Sequence, residues 1–153
     1  MTELNEETKT LLTILRHQTL VRKYLLQLAH RLEERALLHD LSKLQLDEFG
    51  GFIEIQQIAR GHRIDSEEYK ASIQAEVVNL HLSRNSHHPE YYPDGLWGMN
   101  LLDMIEMVID WQAASETYGK ATLLEALPIQ KERFKMTDRQ YWLIQFIAEN
   151  VAK

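Results

Sequence analysis

The stretch "LLDMIEMVIDWQAAS", residues 101–115, decides what kind of fold this chain can adopt. On a helical wheel Asp103, Glu106 and Asp110 fall within about 60° of arc. The remaining arc carries Leu101, Leu102, Met104, Ile105, Met107, Val108, Ile109 and Trp111. That is far wider than the ~100° apolar stripe of a helix lying on a surface. Such a helix is surrounded by protein, which leaves its acidic stripe inside or lining a cavity. Buried carboxylates must be paired or bind cations. The segment therefore implies a helical bundle with a polar centre.

The flanking sequence agrees. Asn100, with Asp103 three residues on, caps this helix, which runs to about Tyr118. Upstream, residues 6–35 carry Leu11, Ile14, Leu15, Val21, Leu25 and Leu28 at helical spacing. A second short helix is expected to hold Leu37, Leu38, His39 and Asp40, ending near Lys43. Residues 46–59 read as a further helix despite Gly50-Gly51. "DSEE" at 65–68 has the form of a capping box opening a helix to about Arg84. "NSHHPEYYPDGLWG" is a loop, broken by Pro89, Pro93, Gly95 and Gly98. Shorter helices follow over 121–134 and from "TDRQ" at 137–140. No strand or internal repeat is read, so the expectation is an all-α single domain over 1–153 with six to seven helices.

Bulk chemistry narrows the function. The chain has no cysteine, which excludes disulfides, thiolate nucleophiles and cysteine-based zinc sites. Any metal must be held by His, Asp and Glu. A net charge of −6 argues against non-specific binding to nucleic acid, while a small anionic substrate stays open because one metal ion can reverse the local field. The acidic start "MTELNEETK" is unlike a secretory signal, and no apolar run reaches membrane-spanning length. A cytoplasmic protein is expected.

Seven histidines invite a metal reading. His17 shares a face with Ile14, Val21, Tyr24 and Leu28, so it is either a satisfied core histidine or a ligand. His30 and His62 read as solvated. His39 and Asp40 are neighbours, and neighbouring helical positions diverge by about 100°. Both reach one point only at a helix end or beside a cavity, where a metal ion suits an imidazole and a carboxylate together. His81, His87 and His88 lie at a helix end and in the loop, where the chain can aim them freely.

Together these pieces resemble the HD-domain superfamily of metal-dependent phosphohydrolases. His17, then "ALLHDLSK", then "VIDWQAAS" follow that family's order over roughly residues 10–118, about 70% of the chain. The closest resemblance is to short HD-like proteins with "HDLSK", "N-x-HHPEYY" and "EM-x-x-DW-x-A" elements. The resemblance implies that His17, His39, Asp40 and Asp110 are the primary ligands of a divalent transition metal (manganese, iron, cobalt, nickel or zinc). His81, His87 and His88 would serve a second ion. It further implies a phosphomonoester or phosphodiester substrate, such as a nucleotide. Lys43, one turn beyond His39, either meets a phosphate oxygen or is a plain helix-end lysine favoured by the dipole. Glu106 or an uncoordinated member of His81, His87 and His88 is the candidate general acid or base. Some HD proteins of similar ligand set use two irons to activate oxygen, and a non-catalytic scaffold is a third reading. "HHPEYYPDG" matches the cyclic-dinucleotide branch poorly, because Pro89 intervenes and Tyr92-Pro93 precedes Asp94-Gly95. A homo-oligomer is compatible with all of these readings.

Overall fold

A computed structural model describes residues 5–61, 66–72, 75–118 and 121–151. Among the described residues there are seven α-helices, three 3-10 turns and no strand, as the periodicity predicts. The chain divides into two compact units, residues 1–39 and 40–153.

The first unit is one helix, α1, Glu6–Leu38. Asn5 caps it, its side chain accepting from the Thr8 amide at 2.8 Å. Its 33 residues span about 50 Å. It runs past the expected end at residue 35 because Arg35, Ala36, Leu37 and Leu38 favour helix and nothing there breaks it. The expected burial of the His17 face is not found: α1 contributes no buried residue, and His17, Ile14, Val21, Leu25 and Leu28 are all exposed. A lone helix has nothing within its own unit to cover an apolar face.

The expected short helix through His39 and Asp40 is also corrected. His39 caps α1 with extended backbone (φ −52°, ψ 126°). Asp40 takes the left-handed conformation, φ 57° and ψ 14°, which Asp tolerates better than most residues. A 3-10 turn, Leu41–Leu44, follows. The pair thus stands at a break between helices, where its two side chains are freed from helical divergence.

The second unit begins with α2 (Leu46–Gly61), α3 (Glu67–Ser72) and α4 (Glu76–Arg84). The single helix expected to end near Arg84 is therefore two, with Ala75 extended ahead of α4. Asp65, first residue of the expected capping box, and His62 lie outside the described residues. Gly51 lets α2 approach α4 closely: a Cβ there would stand 2.7 Å from Val77 Cγ1.

Three more helices, α5 (Leu101–Tyr118), α6 (Leu123–Arg133) and α7 (Asp138–Val151), enclose the apolar core. Met107 and Val108 of α5, Leu123 and Leu127 of α6, and Ile144 and Ala148 of α7 are fully buried. Each large side chain contributes about 1.5–3 kcal/mol by leaving water. Trp111 stacks on Phe134 with centroids 5.9 Å apart.

Asn100 caps α5 as expected, its side-chain oxygen accepting from the amides of Leu102 (2.9 Å) and Asp103 (3.1 Å). Asp103 reciprocates, accepting from the Asn100 amide at 3.2 Å. It is 1% exposed and also accepts from Ser86 Oγ at 3.0 Å and Tyr92 Oη at 2.6 Å. These bonds tie the loop bearing His87 and His88 to the start of α5. Among the described residues, no helix is long and apolar enough to cross a membrane.

Candidate metal centre

The break after α1 presents Asp40, the last turn of α4 presents His81, and the loop beyond it presents His87 and His88. Each offers one ligand atom, and these atoms all lie within 4.8 Å of one another. His81 Nε2 is 3.1 Å and His87 Nε2 3.4 Å from Asp40 Oδ1. His88 Nε2 is 3.2 Å from His81 Nε2. A tetrahedral site with bonds of about 2.0 Å has ligand–ligand edges of about 3.3 Å. Those three separations match such edges, and the donor set of three imidazoles and one carboxylate suits a divalent transition metal.

The two fully buried rings are held from behind by carboxylates. His81 Nδ1 lies 3.0 Å from Glu48 Oε2, and Glu48 is 0% exposed. His87 Nδ1 lies 3.3 Å from Glu106 Oε1. With an ion bound, a carboxylate facing Nδ1 would assign the proton to that nitrogen and free Nε2 to ligate. Without one, the hydrogen bonds from His81 and His87 fall on Asp40 itself. Around Glu48, Ser42 Oγ donates to Oε2 at 3.0 Å. Asn85 Nδ2 donates to Ser42 Oγ at 2.9 Å and to the His81 carbonyl at 2.8 Å. The imidazole of His81 is therefore fixed on both sides.

Charge favours the ligating protonation states. Burial alone would raise the Asp40 carboxyl, but contacts with His81, His87 and Lys43 hold it well below the usual carboxylate range. Burial, followed by the proximity of His87 and His81, pushes His88 down to about 3, against the opposing pull of Asp110 and Asp40. His88 is thus neutral at ordinary pH, as a ligand must be. Lys43 Nζ donates to Asp40 Oδ2 at 2.5 Å.

Among the other residues named from sequence, Asp110 and His87 also offer ligand atoms within 4.8 Å of each other. Glu106 lies behind His87, so its observed contact is with that imidazole. His39 ends the first unit, half-buried and one peptide bond from Asp40. His17 is on exposed α1. Glu48 carries no signal in the sequence, because an acid beside Asp47 in the first turn of a helix looks like an ordinary dipole-compensating residue. Ser42 and Asn85 are hidden for a similar reason, small polar residues at helix ends being common caps.

Fold and site define an all-α protein whose second unit carries a largely buried His/Asp cluster able to chelate a metal ion. Residues 6–150 match the model of a family of unknown function (DUF5662), and the chain belongs to that family. Nothing among curated proteins or solved structures matches it.

Proposed function

We propose that the protein is a metal-dependent phosphohydrolase of the HD-domain type, acting on a phosphomonoester or phosphodiester. The observation that carries this reading is the gathering of ligand atoms from Asp40, His81, His87 and His88 within 4.8 Å of one another. His81 Nε2 and His87 Nε2 are 3.1 and 3.4 Å from Asp40 Oδ1, and His88 Nε2 is 3.2 Å from His81 Nε2. Asp40, His81, His87 and His88 would hold one ion. Asp110, beside His87, is the proposed donor to a second, and His39 and His17 enter through the HD-domain resemblance alone. When bound, a divalent ion supplies Lewis acidity toward a phosphoryl oxygen.

The chain's own residues do the rest. Glu48 and Glu106 keep the imidazoles in the Nδ1-protonated tautomer and in orientation. Lys43, already at the rim of the cluster on Asp40, supplies a cation to a phosphate oxygen as negative charge develops there. Glu106, near the same centre, is the proposed general acid or base.

The test is elemental analysis of the purified protein, with a phosphoesterase panel run in Mn²⁺, Co²⁺ and Mg²⁺ and oxygen consumption followed in parallel. Hydrolysis that needs the bound metal is the expected result. Stoichiometric iron with oxygen uptake and no phosphate release would replace this reading with an oxygenase.

A further inference from the structure

Beside the metal cluster, a groove of about 330 Å³ runs along one face of α2. Its walls are Leu44, Phe49, Phe52 and Ile53, with Lys43 at one end. Phe49 and Ile53 recur with helical spacing, and the lining continues to Arg60, a rise of about 16 Å from Phe49. This apolar strip is continuous with the site just described. The Lys43 ammonium bonds Asp40 at 2.5 Å and lies 5.2 Å from the centroid of Phe52. The Phe52 ring meets the His81 imidazole edge-on, with centroids 5.5 Å apart. One side chain therefore reaches both groove and cluster, and one aromatic ring floors the first while packing against the second.

Chemistry at the two regions differs sharply. An ion held by the imidazoles and Asp40 would, with the Lys43 ammonium alongside, offer a phosphate two cationic groups at the cluster end. The groove offers aromatic and aliphatic surface, which favours displacement of water by an apolar group. Gln56, Gln57 and Arg60 also line the groove, but a polar sugar phosphate would still set hydroxyls against Phe49 and Ile53, whose side chains offer no hydrogen bond.

Resting on the phosphohydrolase reading, we infer that the substrate is a phosphate ester of an aromatic or otherwise apolar alcohol. Its phosphate lies at Lys43 and the metal cluster, and its organic part lies along α2 over Phe52, Phe49 and Ile53.

Non-hydrolysable phosphonates test this on the full-length, metal-loaded protein by calorimetry. Methylphosphonate reports the phosphate end alone, and 1-naphthylmethylphosphonate reports both ends. The naphthyl compound should bind at least tenfold more tightly. Ile53→Asp and Phe49→Ser, both at exposed positions, should each abolish that preference while methylphosphonate affinity, metal content and melting temperature stay as in the wild type. Equal affinity of the two phosphonates for the wild type overturns the groove assignment and leaves the phosphohydrolase reading standing. A preference that survives both substitutions overturns it as well. Binding of neither compound to a protein shown to carry its metal removes the phosphate reading itself, and this inference with it.

Discussion

Glu48 has no exposure to water, and its carboxylate lies between Ser42 Oγ and His81 Nδ1. Outer partners of metal-binding imidazoles typically matter by 10–100-fold in affinity. Glu48→Gln keeps the volume but removes the charge, so metal affinity should fall by roughly tenfold or more, measured by competition with a chelating dye. Asp47→Asn, exposed one residue away, should leave it unchanged. An unaltered affinity in Glu48→Gln would show that the contact only packs the core. Lys43 acts in the opposite sense, because its ammonium competes with any cation for Asp40. Lys43→Ala should therefore bind metal as well as the wild type or better, while catalytic efficiency on an established substrate falls roughly ten- to a thousandfold. Tyr92 tests the latch on the loop. Burial and its bond to Asp103 raise the phenol to about 12, above the ordinary 10. The stabilisation is complete below pH 10 and is lost as pH climbs from 10 toward 12. Wild type should exceed Tyr92→Phe by about 1–2 kcal/mol near neutrality, and that gap should close over the alkaline range in urea titrations.

At the scale of elements, the α2–α4 contact sets the distance between Glu48 and His81. Glycine to alanine inside a helix usually stabilises by about 0.5–1 kcal/mol. Gly50, where an added methyl would meet nothing within 4 Å, should follow that rule. Gly51→Ala should instead destabilise by about 1–3 kcal/mol, since its methyl would meet the branched Cβ of Val77 at 2.9 Å. Thermal melts of the two variants give the signs, and Gly51→Ala should also weaken metal binding by moving α2 off α4. The helices themselves were legible where period and cap coincide, as in Asn100 opening α5. The polar stripe of α5 was legible as buried because its apolar arc is so wide. What periodicity could not carry was any event with no local signature. Asp40 turns left-handed through tertiary contacts to His81 and His87, not through a glycine. The split between α3 and α4 leaves an unbroken helical pattern. Glu48 is chemically close to its exposed neighbour Asp47, and only the approach of α4 distinguishes them. The His-Asp pair and the loop histidines were readable as candidates, but their partners in space were not.

On the scale of the whole molecule, the second unit has two different interiors. Helices α5, α6 and α7 enclose an apolar core, whereas the four clustered donors come from the turn before α2, from α4 and from the loop after it. Saturating metal at a hundredfold over its dissociation constant stabilises by about 2.7 kcal/mol. In a chain of this size, chelation should lower the melting temperature by roughly 5–10 °C, and added metal should restore it.

Asp40 and His81 stand far apart in sequence, so an ion held by both would act as a removable cross-link in a chain that has no cysteine to make a permanent one. Because such an ion leaves as the chain unfolds, it acts by favouring the folded state rather than by restricting the unfolded one. The four donors of the tie lie outside the α5–α7 core, which meets their loop at Glu106 and Asp103 of α5. Its removal should therefore not soften the molecule evenly. Amide hydrogen exchange should accelerate in α2, α4 and the His87–His88 loop when metal is withdrawn, while the amides around Met107, Leu127 and Ile144 keep their protection. The metal state would then be written in which half of the unit breathes.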